Sequence, residues 1–213
     1  MNYTEKENNY YNQVRFDLIK FIEKNPTNKI LEIGAGEGST LEYLKINGYC
    51  EYCEGYDLMP FDEISNHIDK FSVGNIETDT IDFGFEKFDY ILCGDVLEHL
   101  IEPRLTVEKL SKYLTKNGKI IVCTPNISEI SIFKKIFILN DFRYTKSGIL
   151  DYTHLRFFCK INLEELLTTD NLKVVKSLFN LYATPTRRII SKFTFGLIDR
   201  YMAPQLIVVS EKI

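Results

Sequence analysis

Lys29-Ile-Leu-Glu-Ile-Gly-Ala-Gly-Glu-Gly38 decides how this chain reads. An apolar strand runs straight into glycines at every second position. Gly34, Gly36 and Gly38 permit a sharp turn, and without Cβ atoms they let a ligand lie on the backbone, with Ala35 between them. Such loops join the first strand and helix of nucleotide-type α/β folds; the bland alternative is a glycine-rich turn with no ligand. A dinucleotide fingerprint needs its third glycine at position 39, which is Ser39. Glu37 inside the loop would repel a pyrophosphate, whereas a cationic ligand would be favoured.

The rest of the chain bounds the answer. Its 213 residues suit one domain spanning 1–213. A net charge of −4 argues against a general nucleic-acid surface. No apolar run approaches the roughly 20 residues of a membrane span, and Met1–Asn9 has no signal-peptide core, so a cytoplasmic protein is expected. Of the five cysteines, Cys50, Cys53, Cys93 and Cys123 fall in strand-like segments and read as buried thiols; Cys159 does not. The Cys50-x-x-Cys53 pair has no second pair at zinc-ribbon spacing.

Strand-like and helix-like segments alternate, the pattern of a doubly wound sheet. A helix is expected over 10–25, from Val14, Leu18, Ile19 and Ile22 at helical spacing. Strands are expected at Lys29–Ile33, Cys50–Tyr56, Lys70–Val73, Phe88–Cys93, Lys119–Cys123, Lys173–Phe179 and Leu206–Ser210. Helices are expected at Thr40–Ile46, at Pro103–Leu114 and from Asn162 to about Thr168, with helical turns around Asp62–Ile68. Segments 125–160 and 184–204 are inserts.

Ligands of such sheets bind across the carboxyl ends of the strands. The second strand ends at Asp57-Leu58, about 20 residues past the glycines, where an acid can grip ribose hydroxyls; a turn acid before Pro60 is the alternative. The third ends at Gly74-Asn75-Ile76. The fourth ends at Gly94-Asp95-Val96-Leu97-Glu98-His99. Glu32, Gly34, Gly36 and Gly38 resemble motif I of the class I S-adenosylmethionine-dependent methyltransferases. That ligand carries a sulfonium and an ammonium and no phosphate. Asp95-Val-Leu-Glu-His99 is similar to motif IV of the methyltransferase 11/23-type families. The resemblance implies a three-layer, Rossmann-like α/β sheet of seven mostly parallel strands with an antiparallel last strand beside the fifth. It also implies Asp57 on the ribose, Asn75 and Ile76 on the adenine, and an N-terminal Tyr10, Tyr11 and Arg15 helix over the cofactor. Asp151-Tyr-Thr-His-Leu-Arg-Phe-Phe158 resembles a segment of bacterial methyltransferases associated with surface-glycan gene clusters.

Methyl transfer to oxygen needs a base or a metal to take the proton. His99 and His154 are the candidate bases, with Asp95 beside them; structural roles for both histidines remain open. His67 reads as surface. Asp95, Glu98, His99 and His154 also resemble the divalent-metal ligands of small-RNA 2′-O-methyltransferases. Arg143, Tyr144, Tyr152 and Arg156 are candidate acceptor contacts or lid braces. Arg187, Arg188 and Lys192 with Ile189, Ile190, Phe193 and Phe195 form a basic, amphipathic stretch, packed on the domain, in a homodimer, or against a membrane or lipid-linked acceptor. The leading expectation is O-methylation of a sugar, sugar nucleotide or surface glycan. Methylation of RNA 3′ ends and a non-catalytic cofactor-binding or scaffold role are the alternatives.

Overall fold

Residues 13–181 and 184–213 are described in a computed structural model of the chain. Seven strands run β1 Lys29–Ile33, β2 Tyr52–Asp57, β3 Lys70–Val73, β4 Phe88–Gly94, β5 Leu114–Pro125, β6 Leu172–Asn180 and β7 Gln205–Lys212. They form one sheet of order β3-β2-β1-β4-β5-β7-β6. The four pairings from β3 to β5 are parallel, and β7 inserts antiparallel between β5 and β6. The chain direction therefore reverses only at the edge that closes it, as expected.

Strand alternation builds a core on each face. Leu31, Ile33, Ile91, Cys93, Ile120, Val122, Leu206 and Val208 face one side. There they meet Val107 and Leu110 of α3 (Pro103–Ser111) and Leu163 and Leu166 of α5 (Lys160–Leu166). Ile30, Leu92, Ile121, Cys123, Ile207 and Val209 face the other. They meet Leu18 and Ile19 of α1 (Phe16–Ile19) and Leu41 and Leu44 of α2 (Ser39–Ile46). Unbroken apolar strands are what a sheet covered on both faces requires.

Several boundaries differ from the sequence expectation. Among the described residues the N-terminal helix has one regular turn, Phe16–Ile19; Tyr10 and Tyr11 lie outside them. Within residues 62–68 there is a bend at Asp62 and a turn at Asn66–His67, with no regular helix. β5 begins at Leu114, five residues early, because Leu114 pairs with Phe88 before an irregularity in register. Between β5 and α5, the segment contains only α4 (Ile130–Phe133) and a π-helical turn at Lys134–Ile138. The 184–204 segment folds as α6 (Pro185–Phe193) and α7 (Asp199–Met202).

Candidate functional site

The glycine loop closes against β2 and β4. The Gly34 amide donates to Tyr56 O at 2.8 Å, and a Cβ at Gly34 would sit 2.6 Å from Val96 Cγ2. Gly38 precedes α2 with φ +87°, and a Cβ there would lie 2.1 Å from Ile68 Cδ1. Both positions favour glycine for their positive φ, and a side chain at either would also have to displace Val96 or Ile68.

Asp57 braces this loop from the end of β2. Its Oδ2 accepts the Gly36 N–H at 2.8 Å and its Oδ1 accepts the Met59 N–H at 2.9 Å. Burial raises the pKa of Asp57 above its ordinary value, against those amide bonds. Leu58, next to it, is exposed. Glu32 is buried under the same loop, and burial pushes its carboxyl up to about 8, against the opposing charge of Arg15. Its Oε2 has no hydrogen-bond partner among the described residues. A buried, unsatisfied carboxyl oxygen fits a site that takes a cationic group. Glu37, Glu42, Asp62 and Glu63 line an adjoining cleft of about 510 Å³ and place acidic side chains beside the loop. His67 also lines the cleft and is exposed at the surface, as expected.

At the end of β3, Asn75 Oδ1 accepts the Glu77 N–H at 2.9 Å, a local turn bond. Ile76 is buried in the core cluster with Tyr56 and Phe83. The structure therefore places Ile76 in the core rather than on an open surface beside Asn75.

Asp95, at φ +56°, follows Gly94, the last residue of β4. Its Oδ2 accepts Arg15 Nη1 at 2.7 Å and its Oδ1 accepts Gln205 Nε2 at 2.8 Å. Arg15 also forks onto Asp17, at 3.0 and 3.1 Å, and Asp17 Oδ2 accepts Asn180 Nδ2 at 2.8 Å. Burial alone would lower the Arg15 pKa, but Asp95 and Asp17 outweigh it and raise it. This network ties α1, β4, β6 and β7 together under the Gly94 backbone. Gln205 and Asp17 were not read from sequence as part of the site. Their signal was a polar residue interrupting an apolar pattern: Gln205 opens the apolar run Leu206–Val209, and Asp17 adjoins the apolar face Leu18-Ile19.

The turn after Asp95 and the insert after β5 meet. The Glu98 carbonyl accepts the Leu155 and Arg156 amides at 2.8 and 3.0 Å. The ring centroids of His99 and His154 are then 4.8 Å apart, edge to face. His99 Nδ1 lies 3.1 Å from Thr153 O, and His154 Nδ1 lies 2.9 Å from Ile149 O. A carbonyl can only accept, so both Nδ1 atoms carry hydrogen and Nε2 is the basic nitrogen of each neutral ring. Ligand atoms of buried Glu98 and His154 and of half-buried His99 all lie within 4.8 Å of one another. Asp95 is not in this group, contrary to the four-ligand expectation, because its carboxylate is engaged by Arg15 and Gln205. Metal ligands at 2.0–2.2 Å from one ion sit roughly 3–4 Å apart, a spacing that the 4.8 Å span of these donors approaches.

Of the expected acceptor contacts, Tyr144 stacks on Phe157 at 6.4 Å, and Phe157 lies 6.4 Å from His154, edge to face. Phe142 contacts both Tyr144 and Phe157. Arg156 donates to Ile101 O, and Tyr152 is exposed. Arg143 pairs with Asp141 on its own loop, so its fork is occupied there.

A sheet of this order, with a glycine loop after β1 and an acid at the end of β2, defines a class I methyltransferase architecture. The chain belongs to the methyltransferase-domain family, whose model matches residues 6–177. No curated protein matches the sequence. An S-adenosylmethionine-dependent methyltransferase from Mesorhizobium loti is similar in fold (TM-score 0.62, 12% identity), over 92% of this chain and 95% of that one. So is Burkholderia thailandensis 1,6-didemethyltoxoflavin-N1-methyltransferase, solved with 1,6-didemethyltoxoflavin and S-adenosylhomocysteine (TM-score 0.60, 15% identity, 92% and 75% coverage). The cyclase SpnF shares the fold as well (TM-score 0.62, 13% identity, 96% and 80% coverage), so fold alone does not decide the chemistry.

Proposed function

We propose that the chain methylates a hydroxyl oxygen of a sugar, sugar nucleotide or surface glycan. The observation that carries this reading is the convergence of His99 and His154 beside the cofactor edge, both with Nε2 as the basic nitrogen. In this reading the donor lies on Gly34, Ala35, Gly36 and Gly38, with Gly94 and Asp95 at the neighbouring strand end. Asp57 accepts from the ribose, Leu58 and Asn75 flank the adenine, and Glu32 meets the ammonium. S-adenosylmethionine supplies a sulfonium methyl whose C–S electron pair returns to sulfur. His99 or His154 takes the acceptor's proton at Nε2 as its oxygen binds carbon. The aromatic group of Phe142, Tyr144 and Phe157 supports an acceptor with C–H faces, since such rings stack on apolar surfaces while Tyr144 keeps a polar end. Tyr152 and Arg156 border the same insert.

The test is transfer of labelled methyl to a panel of sugars and nucleotide sugars. His99→Ala with His154→Ala is expected to lower kcat by about 10²–10⁴-fold at unchanged S-adenosylhomocysteine affinity. Wild-type kcat in the double variant would remove both histidines from the chemistry.

A second reading is favoured by the Glu98, His99 and His154 cluster. One carboxylate and two imidazoles suit a divalent ion, which would supply Lewis-acid polarisation of the acceptor hydroxyl. Methylation of RNA 3′ ends belongs with this reading, and the net charge of −4 opposes it. Turnover undiminished by a strong chelator would dismiss the metal.

A further inference from the structure

α6 is amphipathic the wrong way round for a helix that packs on its own domain. Its polar side holds it to the protein. Arg187 Nη1 pairs with Glu129 at 2.9 Å and donates to Met202 O, and Ser191 Oγ donates to Asp199 Oδ2 at 2.9 Å. At 100° per residue, Ile189 and Phe193 lie on the opposite side of the helix and Ile190 on its flank. All three are exposed, and none of α6 is buried. The apolar run continues into the turn that follows. Phe193, Phe195 and Leu197 are 81%, 92% and 79% exposed, and Phe195 is held at φ +51°. Large side chains left in water at this density mark a contact surface.

Across the Arg187–Glu129 pair, the insert adds to the same character. Glu129 caps α4, and beyond it Phe133, Phe137, Ile138 and Leu139 are exposed. Cations flank both apolar sets. Lys134 sits beside Phe133, and Arg188 and Lys192 beside Ile189 and Phe193, all exposed. From residue 129 to 202 the chain's basic residues outnumber its acidic ones, although the whole chain carries a net charge of −4. Two copies meeting through this face would bring these cations together. An anionic bilayer surface would neutralise them while covering the apolar side chains.

We infer that α6, the 193–197 turn and the 133–139 turn form a peripheral docking surface for an anionic lipid bilayer. Aromatic and aliphatic side chains enter the headgroup region while Lys134, Arg188 and Lys192 contact lipid phosphates. The chain runs from α6 through α7 directly into Gln205, whose amide holds Asp95, so docking sets the end of β4 near the bilayer. The surface is independent of the acceptor's identity.

The experiment is flotation of the full chain with vesicles of phosphatidylcholine alone and of phosphatidylcholine with phosphatidylglycerol, at low and high salt. Binding is expected on the anionic vesicles and at least about tenfold weaker on neutral ones, as each basic side chain near the surface is worth about fivefold. F193S/F195S is expected to lose at least about tenfold of that binding, from two aromatic rings no longer buried. R188E/K192E is expected to lose a similar factor by a route that leaves the apolar side chains in place. Absence of flotation by the wild type would overturn the inference. So would full binding by both variants, or a dimer in sedimentation that the F193S/F195S change dissolves without any vesicle binding.

Discussion

Glu32→Gln is expected to stabilise the protein, increasingly so as pH rises. Burial raises the Glu32 carboxyl from 4.5 to about 8, against the partial compensation of Arg15. Between those values the unfolded chain gives up a proton that the native chain keeps. Native stability due to Glu32 is thus fully present below pH 4.5 and is lost as pH rises, by about 1.4 kcal/mol per unit until the native carboxyl itself ionises near 8. At pH 7 the loss is about 3 kcal/mol. Glutamine has no proton to lose, so the variant escapes it. For a chain of this size that corresponds to about 6–12 °C in melting temperature.

The assay is denaturant unfolding of both proteins across pH 5–8, in the absence of cofactor. The amide's own hydrogen-bonding cost offsets the two curves equally at every pH, so the slope of the difference carries the result. A difference that is the same at pH 5 and pH 8 would refute the raised carboxyl. The same group links to the cofactor reading. An ammonium placed on Glu32 would draw out its proton, so S-adenosylhomocysteine binding at pH 7 should release about one proton in the wild type and none in the variant. Calorimetry in buffers of different ionisation heat measures that release.

Asp57→Ala removes the acceptor of the Gly36 and Met59 amides and should weaken S-adenosylhomocysteine binding by about 10–100-fold in calorimetry; unchanged affinity would separate Asp57 from the site. Gly38→Ala should cost about 1–3 kcal/mol in unfolding free energy, and Ile68→Val, which deletes the clashing Cδ1, should recover the steric part but not the φ strain. Arg15→Met leaves Asp17 and Asp95 without their cation and should cost about 3–5 kcal/mol at neutral pH. Burial opposes ionisation of Asp17, but its bonds to Arg15 hold its carboxyl below the ordinary 3.8. That stability is present above 3.8 and lost as pH falls through the lowered value, so the gap between variant and wild type should narrow in acid; a gap unchanged in acid would show that the ion pairs carry none of it.

The donor half of the site was legible because strand ends fix it. Ile33, Tyr56 and Cys93 stand side by side in parallel register, so the glycine loop, Asp57 and Asp95 must emerge along one edge. Short, largely apolar runs, each closing on a glycine or an acid, were enough to find those ends. What spacing could not supply was direction. Asp95, Glu98 and His99 read as one cluster along the chain, but the left-handed backbone at Asp95 sends its carboxylate to Arg15 and Gln205, 80 and 110 residues away in sequence. Nothing local marks that turn except the glycine before it.

The acceptor half was illegible for a different reason. His154 reaches His99 because the Leu155 and Arg156 amides bond the Glu98 carbonyl, and its ring is set by Ile149 O. Those contacts use backbone groups that every residue carries, so no residue type announces them. The one selective constraint is that a carbonyl partner at each Nδ1 requires histidine rather than any base of similar pKa, since only imidazole offers a donor on one nitrogen and an acceptor on the other. Glutamine at either position would preserve the bond to the carbonyl while removing the base. His99→Gln and His154→Gln therefore separate the two roles: a structural histidine would leave kcat near wild type, whereas a basic one would lose it with the fold intact.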